Sequence, residues 1–380
     1  MTSIPSAESG TGTQLGEMSR QAHAPCRPPV WLTSFGGRQA ELVRIGELMR
    51  SSRLVTLTGA GGSGKTRLAA HAIGAESGRF ADGVRWVDLA AITDLAQVVE
   101  HVAAAAGAVM RPGAGAVRLL ASQLADQSLL LCLDNCEHVL DAVADLASEL
   151  LVSCPGLSVL ATSREPLRLD GETVWTVPTL SAKDAVALFL ERGRQARPGF
   201  DADPAASSAV VTLCARLDGL PLALELAAPW LRTLTAGEIE AGLDDRFALL
   251  VRGPRGVLAR HETLLASMSW SHDMLTRADQ AVFRRLGVFA GSFSLDAARP
   301  VGAAAGLSAD AILAAVSRLV DKSLLVVEHH QGVARYRMLE TVRAYERTRG
   351  LGLPRPGKRP LRASATSPIS SNWSSAPSPS

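Results

Sequence analysis

Lysine is scarce in this chain. Only Lys65, Lys183, Lys322 and Lys358 stand among its 39 basic residues, and the rest are arginine. Net charge is scarce too: a formal +2 over 380 residues excludes a global field that would steer the molecule to nucleic acid or to a membrane surface. No run approaches the roughly 18 apolar residues of a membrane helix. The N-terminus has no basic start followed by an apolar stretch, so no secretory signal is read there. The five cysteines (Cys26, Cys132, Cys136, Cys154, Cys214) are odd in number and follow no framework spacing, which argues against a disulfide scaffold and for reduced thiols. No repeat of solenoid period is present. These absences lead to the expectation of a cytoplasmic protein without a membrane partner.

What is present is ordinary globular material, 47% hydrophobic and 20% charged, long enough for two or three domains. Residues 1–29 are Ser-, Thr-, Gly- and Pro-rich and read as a disordered leader. From residue 30 to about 178, short apolar runs alternate with helical patterns. LVTLT (Leu54–Thr58), VRWVDL (Val84–Leu89), LLLCLD (Leu129–Asp134) and LSVLATS (Leu157–Ser163) do not alternate in polarity, as expected of a parallel sheet covered on both faces. Residues 179–252 switch to a helical period, with SAKD as a capping box at Ser181, a stop at Asp218-Gly219 and Pro221 opening another helix. Residues 253–348 read as three helices and a hairpin, the winged-helix order. The helices are one through Leu265 and His272, one starting at Thr276 and one starting near Ser308; LLVVE and VARYRML flank a turn at HHQG. Residues 349–380 are basic and Ser/Pro-rich and read as a disordered tail.

The strongest motif is GAGGSGKT, matching G-x-x-x-x-G-K-[ST]. Gly59, Ala60, Gly61, Gly62, Ser63 and Gly64 can wrap their amides around a phosphate, with the dipole of the next helix behind them. Lys65 is placed to bridge the β- and γ-phosphates and Thr66 to hold Mg²⁺, and Arg67 closes the predicted nucleotide set. ATP or ADP with Mg²⁺ is the ligand this motif predicts. An acid should end a neighbouring buried strand, and Asp134 does so, suited to Mg²⁺ through a water. Glu137 is the candidate to polarise attacking water, with a solvated loop acid as the alternative reading. Arg164 could report the γ-phosphate, the alternative being a surface arginine. Lys65, Asp134, Glu137 and Arg164 thus form the predicted catalytic group. Cys132, Cys136 and His138 lack a second ligand pair at zinc-like spacing and read as core and loop residues.

The order of six segments resembles STAND-class, NB-ARC-like P-loop ATPases, in particular bacterial LuxR-type and AfsR-like regulators. They are TSFGGRQAEL, GAGGSGKT, LLLCLDNCEHV, VLATSREPL, GLPLALELAA and the pair RHETLLASMSWSHDMLTRADQAVFRRLGVFAGSFSLDAA and RYRMLETVRAYE. The resemblance spans residues 31–348. It implies an α/β P-loop domain, an all-α helical domain and a winged-helix domain closing over ADP or ATP. It also implies slow Mg²⁺-dependent hydrolysis that resets an ADP-closed signalling or transcriptional switch. By the same resemblance Phe35, Gly36 and Arg38 lie near adenine and ribose, Pro221 packs on the base, Arg164 is the sensor arginine, and activation exposes a surface for protein partners or self-association. The chain departs from the pattern at Gly37 and Gln39, and after Arg349, where a truncated or shifted reading frame is the expectation.

Two rivals stand beside the switch. A P-loop phosphotransferase would need an acceptor pocket with a base and a lid, and neither is recognisable. Direct DNA reading by the helix from Ser308 would rely on Arg318 and Lys322 against Asp310 and Asp321. No basic stripe is discernible in that unit, so direct DNA binding is not expected.

Overall fold

A computed structural model of the chain describes residues 28–92, 94–109, 115–200, 204–245, 264–303, 307–330 and 332–343. The leader through residue 27, the tail and the expected frame change lie outside the described residues. Five parallel strands form the first sheet: β1 (Leu54–Thr58), β2 (Val84–Asp88), β3 (Leu129–Asp134), β4 (Leu157–Thr162) and β5 (Glu172–Thr176), in the order β2-β3-β4-β1-β5. Side chains along β3 alternate between two cores. Leu130 and Cys132 join Val55, Leu57, Trp86 and Leu160 on one face, while Leu129, Leu131 and Leu133 join Leu54, Val87, Val159 and Ala161 on the other. Both faces are therefore apolar, which is why the central strands β1, β3 and β4 show no polar alternation. Helices α1 (Gln39–Ser51) and α2 (Lys65–Glu76) cover the first face through Ile45, Leu48, Leu68 and Ile73. Helices α3 (Leu95–Ala106), α4 (Ala116–Leu124) and α5 (Leu140–Ser153) cover the second through Val98, Leu120 and Leu146.

The all-α stretch holds α6 (Ala182–Ala196), α7 (Pro204–Arg216), α8 (Pro221–Ala227) and α9 (Ala236–Ala241). Ser181 caps α6 by accepting from the Asp184 amide at 3.2 Å, but the Asp184 carboxylate takes the Ser181 hydroxyl, at 2.6 Å. Aspartate is one methylene shorter than the glutamate of a reciprocal box. The reciprocal box occurs instead at Thr235 and Glu238, which exchange main-chain and side-chain bonds at the start of α9. The stop after α7 is built from two left-handed residues, Asp218 (φ 55°) and Gly219 (φ 61°). A Cβ on Gly219 would lie 2.6 Å from the Leu180 carbonyl oxygen, so only glycine fits.

The C-terminal stretch contains α10 (Leu264–Asp273), α11 (Arg277–Leu286), α12 (Leu295–Ala303) and α13 (Ala309–Asp321), then β6 (Leu325–His330) and β7 (Val333–Met338), paired antiparallel with His330 opposite Val333. Thr276 and Ser308 cap α11 and α13, but TRAD does not form the reciprocal capping box its sequence suggests, since the Asp279 carboxylate takes the Thr276 hydroxyl at 2.8 Å. Two expectations change. Helix α12 was not foreseen, because Pro300 lies inside it and Gly291 shortly precedes it. The hairpin turn is tighter than HHQG: His329 and His330 stay in the strand, and Gly332 (φ 80°) supplies the left-handed turn residue. Among the described residues no helix is long and apolar enough to cross a membrane.

Candidate functional site

The loop Gly59–Gly64 leaves the C-terminal end of β1 and turns into α2. Gly59 (φ 141°), Gly62 (φ 83°) and Gly64 (φ 91°) hold positive φ, which side-chain-bearing residues rarely adopt. The Ser63 amide closes the turn onto the Ala60 carbonyl at 3.1 Å. The Ser63 hydroxyl is buried in the loop with no hydrogen-bond partner. Lys65 extends back over the loop and donates to the Gly59 and Ala60 carbonyls at 2.6 and 3.1 Å. Burial pushes its ammonium down to about 8, against the opposing pull of Glu137.

Beside it, β3 ends at Asp134, whose carboxylate accepts from the Thr66 hydroxyl at 2.9 Å, from Thr162 of β4, and from the Asn135 amide group at 3.0 Å. Desolvation raises Asp134 to about 7 despite the two hydroxyl donors. Thr66 and Asp134 thus present adjoining hard oxygens of the kind Mg²⁺ uses. With positive φ at three glycines, an unpartnered buried hydroxyl and a depressed ammonium, the residues fit a magnesium polyphosphate. The raised carboxyl gives a pH signature with a definite sign. Unfolded Asp134 ionises near 3.8 whereas the folded group stays protonated to about 7, so stability falls as pH rises through that window. Asp134→Asn abolishes that fall. Denaturant titration from pH 4 to 8 should show the wild type losing on the order of 4 kcal/mol relative to the variant. Parallel pH profiles would refute the assignment.

The sequence points to Asn135 only as an amide beside Asp134 that could orient water, and does not point to Thr162 or Asp88, yet the three complete this corner. Asn135 is left-handed (φ 63°), and its amide group bridges Asp134 and Asp88, at 3.0 and 3.1 Å. Its main-chain amide meets the Thr162 hydroxyl at 3.1 Å. Asp88 stands in register with Asp134 on β2. The available signal is VRWVD, a second strand-like run ending in an acid.

Glu137 and Arg164 are both buried, so the solvated-loop and surface readings do not hold. The Arg164 Nε donates to Glu137 Oε1 at 3.2 Å, while Glu137 Oε2 is buried without a hydrogen-bond partner. Arg164 also donates to the Ser271 hydroxyl of α10, and its carbonyl accepts from the Ser323 hydroxyl at 2.7 Å, just after α13. Around it, Lys322 pairs with Glu165 at 2.8 Å and Arg168 with Asp321 at 3.1 Å. A cavity of about 10 Å³, room for one water, lies between Ala60, Gly61 and Arg164 on one side and Met268, Ser271 and Leu324 on the other.

The opening segment is arranged differently from a simple adenine bracket. Phe35 stacks on His71 with centroids 3.9 Å apart. Gly36 has open space where a Cβ would sit. Arg38 is buried and ties the Ser63 and Pro178 carbonyls together at 3.0 and 2.8 Å. Arg67 is committed to the Thr33 and Ser34 carbonyls and sits over the Trp31 and Phe35 rings. Gly37 is required here: it is left-handed (φ 71°), and a Cβ would lie 2.6 Å from that of Asp184. Pro221 is the first residue of α8 and approaches Gly64, while the Leu222 amide bonds the Gly62 carbonyl at 3.3 Å. Cys136 Sγ donates to the Leu133 carbonyl, and a His138 ring nitrogen meets the Leu89 carbonyl at 2.8 Å. Burial drives the Cys132 and Cys136 thiols well above their ordinary range.

Comparison with known proteins agrees with this architecture. Residues 275–350 match the family described as "Winged helix-turn-helix domain". Over 299 residues the chain is 47% identical to a Mycobacterium tuberculosis protein named "Putative HTH-type transcriptional regulator", covering 78% of this chain and 34% of that one. The chain therefore spans about a third of that relative's length. It is 30% identical over 343 residues to the regulatory protein AfsR of Streptomyces griseus, covering 85% of this chain and 33% of AfsR. The Walker-type ATPase of Pyrococcus abyssi shares the fold, with a TM-score of 0.55 at 13% identity, over 84% of this chain and 98% of that structure. An uncharacterized protein of Mycobacterium tuberculosis is 44% identical over 317 residues, which cover 83% of this chain and 80% of its own length. The chain belongs to the family of that mycobacterial protein, and within it a P-loop ATPase fold is followed by a winged helix-turn-helix domain.

Proposed function

We propose that the chain is a nucleotide-controlled switch for transcription or signalling, closed with ADP and reset by slow Mg²⁺-dependent ATP hydrolysis. One observation carries this reading: Arg164 leaves the phosphate corner and ends on the winged-helix stretch. Its guanidinium links Glu137 to Ser271, and its carbonyl holds Ser323. A group that a γ-phosphate would attract is therefore also the group that fastens the cover.

In this reading Gly59–Gly64 offer their amides to the β-phosphate, and Lys65 leaves the Gly59 and Ala60 carbonyls to take the triphosphate. Thr66 and Asp134 hold Mg²⁺, whose chemistry is to neutralise charge on the β- and γ-oxygens. Glu137 Oε2, unpartnered and adjoining, orients water at the γ-phosphate. Phe35, Gly36, Arg38 and Pro221 line the base side, with Arg38 acting through the Ser63 carbonyl and Arg67 through the opening segment. Cytoplasmic residence and a protein partner or second copy as the acceptor of the opened form belong to the same proposal. Identifying the nucleotide that co-purifies tests it. Tightly held ADP, exchanged for ATP only slowly, is the expected result, and a nucleotide-free protein that gains no thermal stability from either nucleotide overturns it.

Base-specific DNA reading by α13 is disfavoured. Arg318 is taken by Asp279, with contacts of 2.7 to 3.1 Å, and Lys322 by Glu165. The most exposed positions of α13 are Ala309, Asp310, Leu313 and Ser317; its one basic residue, Arg318, is half-exposed but held by Asp279.

A further inference from the structure

The winged-helix stretch reads in sequence as arginines interspersed with acids, but folding separates the two. On α11 the single acid, Asp279, turns inward and is 1% exposed, held there by Arg318 and the Thr276 hydroxyl. Val282, Phe283 and Leu286 fill the same inner face. What remains outside is Arg277, Arg284 and Arg285, all exposed. At 100° per residue Arg277 and Arg284 lie within about 20° of one another and Arg285 about 80° away, a single basic face. Among the described residues none of the three has an ion-pair partner, although Arg299, on the next helix, is paired with Asp296 at 2.9 Å. Arg277 moreover stands in the first turn of α11, where the helix dipole opposes a positive charge. The fold gains nothing from it there.

We propose that this outer face of α11 binds the phosphate backbone of duplex DNA, without reading bases. Two features favour that partner over an acidic protein. Ala278 and Ala281 are the side chains between the arginines, so the face lacks the aromatic or large apolar anchor on which protein interfaces depend. Phosphate contacts need only correctly spaced cations. Seven residues of helix cover about 10 Å, the axial rise of about three phosphates along one strand. Arg335 of β7, bonded to Ser292 at 3.0 Å in the loop leaving α11, brings a further cation to that loop. The surface is accessible while Lys322, Asp321 and Ser323 are engaged with the sheet domain, so DNA contact and the closed arrangement coexist. The inference does not rest on nucleotide binding.

The test is fluorescence anisotropy of labelled duplex DNA with the full chain over a salt series. Three phosphate contacts contribute about −2.7 to the slope of log K against log salt, or about a forty-fold loss of affinity for a fourfold rise in salt. Replacing all three together (Arg277→Gln, Arg284→Gln, Arg285→Gln) should remove that increment at an unchanged thermal midpoint, and lysine at the same positions should restore it. The basic tail is present in every variant, so the difference isolates α11. An unchanged slope in the glutamine variant, equal loss in the lysine variant, or polyglutamate binding with the same dependence on the three arginines overturns the proposal. Retention of DNA binding by a Lys65→Ala chain separates this result from the nucleotide reading.

Discussion

Lys65→Ala should lower ATP affinity by roughly a hundred-fold, about 3 kcal/mol, in isothermal calorimetry. The triphosphate would lose its charge-assisted contacts with the ammonium, partly offset because the wild type must first give up the Gly59 and Ala60 carbonyls. The variant should remain folded, since this ammonium does not support the nucleotide-free protein. Its folded value of about 8 lies below the ordinary 10.5. At neutral pH the fold therefore carries a charge it disfavours, a cost fully present below about 8 and lost as pH rises toward 10.5. Stability of the wild type, compared with Lys65→Ala, should climb across that alkaline window. Unchanged affinity for ATP would remove the site assignment altogether.

Arg164→Ala carries the second large effect. The substitution strands Glu137, already buried with one oxygen unpartnered, and removes the donor to Ser271. Breaking a buried pair from one side costs about 3–5 kcal/mol. The loss should appear as a lower thermal midpoint together with an increased radius of gyration in solution scattering, because the link between sheet and α10 goes with it. Arg164→Lys should recover only part, since a single ammonium cannot reproduce the planar fork that serves Glu137 and Ser271 together. A variant as compact as the wild type, with the same ATP response, would show that Arg164 has no part in closure.

Much of this architecture is legible in the sequence, and the illegible parts share a cause. β1, β3 and β4, the central strands, carry no charge before Asp134 because both faces of the sheet are covered, and that pattern is local. β5 is an edge strand, ETVWT, with Val174 43% exposed, and its half-buried pattern resembles a loop. The P-loop motif is contiguous, so Lys65 and Thr66 could be placed. Thr162 and Asp88 join Asp134 only through strand register, which spacing along the chain does not encode. The basic face of α11 was hidden for the same reason. RADQAVFRR looks mixed in charge until Asp279 turns inward.

The Asp218 carboxylate reaches across to the far end of the chain, accepting from the main-chain amides of Glu340 and Thr341 at 2.9 and 2.8 Å and from the Thr341 hydroxyl. Its side chain is only 5% exposed, and this burial raises its pKa. The contacts along α13, by contrast, include Arg168, which is 61% exposed where it pairs with Asp321. Solvent-facing charge pairs weaken first when ionic strength rises, whereas a sunken carboxylate bonded to amides is barely screened. Salt should thus loosen the seam against the sheet first at Arg168–Asp321, while the rivet at Asp218 holds, so that hairpin and helical bundle would travel as one piece.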